Sequence, residues 1–317
     1  MITINSSTHI FTMNLFLDLV VKILPLYGIM MLGYIAGQYM KVEKDSIARM
    51  LLYILSPIII FHGVFTTTID RGGIILPIYF YVLACSLSLI AYAIGSVVWK
   101  DSTKNIFAYT AATGNTGYFG IPVALALLGE ASLGFVVLCT MGLVLFENSL
   151  GFFLTARGSF SARESLKRVF ILPSVYAFII GLALNLGHVT PPEWYGVIAG
   201  NFRGAYTILG SMMAGLGLAG FKKLTIDWKF LGLCFFSKFI LYPAIAIGTV
   251  TLDTHVLHLF TPLMRQVIVL LSLTPMAVNT VVLATALKVK PEKAALGVLS
   301  TTLFALFFIP AVMAVVQ

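Results

Sequence analysis

Charge is what this sequence has least of. Only 10% of its 317 residues are Asp, Glu, Lys or Arg, while hydrophobic residues make up 59% and mean hydropathy is +1.00. A soluble domain of this size would expose far more charge, so the chain reads as an integral membrane protein. Cysteine is nearly absent too. Cys85, Cys139 and Cys234 all fall inside apolar stretches without CxxC spacing, which excludes a disulfide framework and a cysteine metal site and leaves them as small core residues. Catalytic signatures are missing. There is no HExxH, no GxxxxGK[ST] and no GxSxG, and GNTGYFG is not a GxGxxG, so no enzyme, cofactor or metal is expected. Residues 1–13 lack a basic run before an apolar core, so the first span is expected to be retained rather than cleaved.

What the sequence has is apolar length. A membrane helix needs roughly 20 apolar residues, and ten such segments are expected at 14–39, 46–67, 73–99, 104–129, 131–156, 165–187, 194–220, 226–251, 263–287 and 291–316. The net charge of +8 does not point to nucleic acid, because the basic residues sit in the joints and act on orientation. Assigned alternately, the joints carry fifteen Lys and Arg on one side, against Arg71 and Arg265 on the other. Basic joints stay cytoplasmic. A multi-pass protein of the plasma or inner membrane is expected, with both termini outside.

Two of the ten segments are broken. Between Phe107 and Glu130 the apolar run is interrupted by Gly114, Asn115, Gly117, Gly120 and Pro122; between Val267 and Leu287 it is interrupted by Thr274, Pro275, Asn279 and Thr280. Such breaks expose backbone groups that survive at bilayer depth only inside protein or beside a water-filled cavity. An internal repeat relates the halves: Leu24, Pro25 and Gly33 recur as Leu172, Pro173 and Gly181, and Arg49, Ile54 and Leu55 as Arg203, Ile208 and Leu209. Five spans per half is odd, so the halves must insert inversely. The expected architecture is all-α, with a five-helix repeat at 1–156, its inverted copy at 165–317, and the broken helices 4 and 9 crossing near the midplane.

The segments LPLYGIMMLGY, SPIIIFHGVF and NTGYFGIP resemble the corresponding stretches of the auxin efflux carrier family, which includes the plant auxin carriers and bacterial malate permease-like proteins. The second half matches more loosely, around LTPMAVN. The resemblance implies ten helices divided into a scaffold and a transport domain, crossed helices 4 and 9, and elevator-type carriage of small organic anions, auxin-like or dicarboxylate. It also implies that Asn115 contacts a substrate carboxylate, with Pro122 and Pro275 as the prolines of the broken helices. The sequence departs from the plant carriers in lacking their long central loop, and ILGSMMAG in the seventh span has no proline where many relatives carry one.

The expected substrate site is therefore Asn115, Thr116, Gly117, Pro122, Thr274, Pro275, Asn279 and Thr280. Half-helix N-termini supply partial positive charge and N–H donors to an anion. Candidate coupling residues are Glu147, His62 and Lys238, because ionisable groups inside spans are costly. Each also has a plainer reading. Glu147 could bond Asn148 or the basic joint, His62 could be a core histidine, and Lys238 could pair with Glu147 or snorkel to an interface. Asp18 and Lys22, four apart, would make a structural pair near the outer surface. Sodium sites of the related bile-acid symporters use a ninth-span carboxylate where this chain has Asn279, so protons or uncoupled export are favoured over sodium. The bilayer is the surrounding partner, and a homodimer is one option for assembly. An ion channel, a receptor-like protein and an intramembrane enzyme are the competing classes.

Overall fold

The computed structural model describes all residues except 1–20, 22, 23, 26, 67–73, 220–225 and 317. The pair Asp18 and Lys22 lies outside the described residues, as do Arg71, Lys222 and Lys223. Among the described residues the chain is all helix, without a strand.

The first described helix, α1, covers residues 27–38. It is followed by α2 Lys44–Thr66, α3 Ile75–Val98, α4 Thr103–Ala112, α5 Ile121–Leu128, α6 Leu133–Glu147, α7 Leu150–Ala156, α8 Ala162–Ile171, α9 Pro173–Leu186 and α10 Glu193–Leu218. Then come α11 Trp228–Leu257, α12 Pro262–Ser272, α13 Asn279–Ala286 and α14 Pro291–Val316. Among the described residues five helices are long and apolar enough to cross a membrane: α2, α3, α6 with α7, α11, and α14 over Pro291–Ile309. The α8–α9 pair makes a sixth if taken as one span bent by 47°. The bend corrects the expectation of a continuous span at 165–187. Leu172 is extended (φ −62°, ψ 123°), the conformation imposed on a residue before proline, and Pro173 then opens α9.

Glycines let the helices approach closely. A Cβ on Gly33 of α1 would lie 2.1 Å from the Met212 carbonyl oxygen of α10, and one on Gly215 of α10 would lie 1.9 Å from the Met30 carbonyl oxygen. Gly181 of α9 faces the Phe61 carbonyl of α2 in the same manner, at 3.1 Å, and Asn185 of α9 donates to the carbonyls of Val64 and Phe65. A second group is built from α3 to α6 and α11 to α14 around one large apolar core that includes Phe80, Phe107, Phe146, Phe230 and Tyr242. A smaller cluster of Ala48, Leu51, Leu55, Met213, Leu216 and Val282 joins the two groups.

Four of the expected basic joints meet at one end of the molecule. Lys290 pairs with Asp101 at 2.9 Å and Lys293 with Asp227 at 2.7 Å. Lys293 also donates to Thr103, Asp227 caps α11 by accepting from Phe230 N–H, and Ser159 donates to the Leu287 carbonyl. The α3–α4, α7–α8 and α13–α14 connections and Asp227, just before α11, therefore share a face.

Candidate functional site at two crossed helix breaks

The breaks expected at the fourth and ninth segments are present, and they touch. Helix α4 stops at Ala112, Thr113 is extended (φ −98°, ψ 145°), and the Asn115 N–H donates 2.8 Å to the Pro275 carbonyl in the other break. The Asn115 carbonyl then accepts from Phe119 and Gly120, at 3.2 and 2.9 Å, closing a π-helical turn at Thr116–Gly120 that leads into α5, with Pro122 in its first turn. In the second break Pro275 has no N–H to lose, and the Met276 N–H donates 3.2 Å to Thr301 Oγ1 of α14. Each break thus supplies a partner that the other, or a neighbouring helix, needs where burial keeps water away.

This crossing tolerates little bulk. A Cβ on Gly114 would fall 2.5 Å from Thr274 Oγ1, and one on Gly120 would fall 2.9 Å from Leu271 Cδ2. Asn115, Thr116 and Thr274 are buried, whereas Gly117 is exposed with open space where a side chain would stand. The Thr140 hydroxyl of α6 lies 3.0 Å from that of Thr116. So Asn115, Thr116, Gly117, Thr274 and Pro275 lie together at the crossing. Thr280, in the first turn of α13, is buried with a hydroxyl lacking a hydrogen-bond partner.

Asn279 faces elsewhere. Its Nδ2 donates 2.9 Å to Glu147 Oε2 and its Oδ1 accepts at 2.9 Å from the Tyr206 hydroxyl of α10. Glu147 is therefore held by the second break, rather than by Asn148 or the basic joint; Asn148 bonds its own helix at the Val144 carbonyl. Leu51, Ser56, Tyr109, Glu147, Tyr206 and Asn279 line a pocket of about 30 Å³, room for water but not for an organic solute.

The three coupling candidates do not gather. Lys238, on a π-helical turn of α11, is fully buried, which removes the snorkelling option, and it pairs with the Tyr242 ring at 4.3 Å rather than with Glu147. Its Nζ is beside the first break, 3.4 Å from where a Gly114 Cβ would stand. His62 is on α2, its ring 5.5 Å from that of Tyr195, among the aromatic side chains of the α2–α10 contact. Sequence reasoning missed Tyr206, Thr140 and Thr301. Each is one polar residue in an apolar helix, and only the fold shows which break it serves.

A sequence model described as "Membrane transport protein" matches residues 18–313. An uncharacterized transporter of Methanocaldococcus jannaschii is 25% identical over 306 residues, covering 92% of this chain and 95% of the relative. An uncharacterized transporter of Methanothermobacter thermautotrophicus is 26% identical over 217 residues, 66% of this chain and 68% of the relative.

Proposed function

Because the chain belongs to the membrane transport protein family, the auxin efflux carriers, we propose that it is a secondary carrier of small organic anions. In this reading the two crossed breaks hold the solute and alternating access moves it. The observation that carries it is the Asn115 N–H to Pro275 carbonyl bond, since crossed broken helices are the arrangement in which carriers build midplane sites.

The repeat has support from packing. Gly33 and Gly181, matched by sequence, each press on the second helix of the opposite half, α10 and α2. In each half the fifth segment supplies a threonine to the break, Thr140 to Thr116 and Thr301 to Met276. We propose ten spans in two inverted halves, 1–156 and 165–317, with both termini outside. The α1, α2, α9 and α10 group is the scaffold, and the remaining helices move as the elevator. The protein catalyses no reaction, and Glu147 couples the cycle to protons.

Uptake of labelled carboxylates into proteoliposomes, with and without pH or sodium gradients, tests this directly. Saturable uptake enhanced by a pH gradient is expected. Non-saturating ion conductance without solute uptake would replace the carrier with a channel.

A further inference from the structure

Among the described residues, Lys238 is a buried cation to which the fold gives no anionic partner. It is fully buried, and its Nζ makes no hydrogen bond. Burying a charge without a partner is strongly unfavourable, and the Tyr242 ring at 4.3 Å returns only part of that cost. The other described groups around it bring no negative charge: Cys234 lies one turn back on α11, its thiol 3.6 Å from Thr110 Oγ1, and the break contributes Gly114 and Thr274. A lysine needed only for packing would be replaced by methionine at lower cost.

Its position gives the cost a use. The Lys238 Nζ lies 3.4 Å from where a Gly114 Cβ would stand, beside Asn115 in the crossing. We infer that Lys238 is the counter-charge for the substrate carboxylate at the crossed breaks, and that the carrier selects monocarboxylates over dicarboxylates. This rests on the carrier reading above. The charge selection follows from a count. Among the described residues of the crossing, namely Gly114, Asn115, Thr116, Thr140, Lys238, Thr274, Pro275 and Thr280, Lys238 is the one cation. A second carboxylate would enter without a counter-charge and bear the desolvation cost alone. The Asn115 amide and the Thr116 hydroxyl, which accepts from Thr140 and keeps its own hydrogen to give, add neutral donors that orient a carboxylate without changing the charge balance.

The test uses the purified full-length protein and three probe sets: labelled monocarboxylates (acetate, benzoate, indole-3-acetate), their neutral amides, and the dicarboxylates malonate and malate. Lys238→Met keeps the unbranched stem and removes the charge. Its carboxylate affinity should fall about 10- to 100-fold, as for loss of a charged hydrogen bond, while amide affinity stays within about twofold and thermal stability holds or rises. Lys238→Gln is the second variant, read by the same carboxylate-to-amide ratio. An unchanged ratio in both variants overturns the role of Lys238 and leaves the carrier reading standing. Tighter wild-type binding of dicarboxylates than of monocarboxylates overturns the charge selection. Absence of binding of every carboxylate by the wild type overturns the organic-anion reading and this inference with it.

Discussion

The Asn115 N–H and the Pro275 carbonyl are 2.8 Å apart, so the two helix breaks are one structural unit. Because that bond is made by main chain, substituting the Asn115 side chain leaves it in place. Asn115→Ala should therefore keep the crossing intact and weaken carboxylate binding by roughly 1.5 to 3 kcal/mol, the range for a hydrogen bond to a charged group. Asn148→Ala, whose amide bonds only its own helix, should change binding far less. Affinity and thermal stability measured on the same preparations check this: lost stability with unchanged affinity would reduce Asn115 to a structural role.

Gly114 tests the crossing itself. An added methyl would sit 2.5 Å from Thr274 Oγ1, an overpacking expected to cost about 1–3 kcal/mol. Gly114→Ala should lower the melting temperature and slow transport, and Thr274→Ala, itself mild, should restore part of the loss in the double variant. A coupling energy near zero in that double-mutant cycle would mean that the two breaks do not press on each other.

Much of this arrangement was legible in the sequence, for a physical reason. Gly114, Asn115, Pro122, Thr274 and Pro275 disfavour continuous helix through local effects on backbone freedom and hydrogen bonding, and local effects can be read without a fold. Partners could not be read. Asn279 looks like a second Asn115, yet it turns to Glu147 and Tyr206, because α10 brings a hydroxyl that no local pattern announces. The kink at Leu172 could have been read, since Pro173 stood in the sequence; the apolar length of the segment concealed it.

The joint ion pairs carry a pH signature. Burial alone would raise the Asp101 carboxyl, but hydrogen bonds from Lys290 and Thr103 outweigh it and hold the group down at about 2 against an ordinary 3.8. The hydrogen bond to Asp101 in turn raises Lys290. A depressed acid stabilises the fold above its unfolded value and loses that contribution as pH falls through the folded one. A raised lysine contributes below its ordinary 10.5 and loses it as pH rises further. The stability difference between wild type and Asp101→Asn should be flat from about pH 5 to 9, and be largely lost as pH falls to about 2. Asp101 is half exposed, so solvent screening limits the plateau to about 0–1 kcal/mol. Melting curves of both proteins across pH check the shape.

The shared face of the Asp101, Ser159, Asp227 and Lys290 joints gives the topology a simple test. With Cys85, Cys139 and Cys234 replaced, single cysteines at Ser7 and Gln317 should react with an impermeant thiol reagent applied to intact cells, and one at Ser161 should react only after permeabilisation. The opposite labelling would invert the protein in the membrane.

Glu147 is the remaining test, and its surroundings sharpen it. The groups facing its carboxylate are Asn279 of α13, which donates to it, and Tyr206 of α10, which bonds the far side of the same amide. Tyr109 of α4 and Ser56 of α2 complete the pocket. Among the described residues none that lines that pocket is a cation, so the charged carboxylate is met by neutral donors, an arrangement in which taking up a proton removes the burden of a buried charge. The pocket also joins α2 and α10 to α6 and α13, across the boundary between the proposed scaffold and moving helices. A proton bound there would loosen or fasten the boundary itself. Glu147→Gln keeps the shape and can still accept from Asn279 through its amide oxygen, so it should leave substrate affinity within about twofold and make transport nearly independent of pH between about 5 and 8. Measured in proteoliposomes, a pH profile identical to wild type would remove Glu147 from the coupling step and leave it a structural clamp between the two groups of helices.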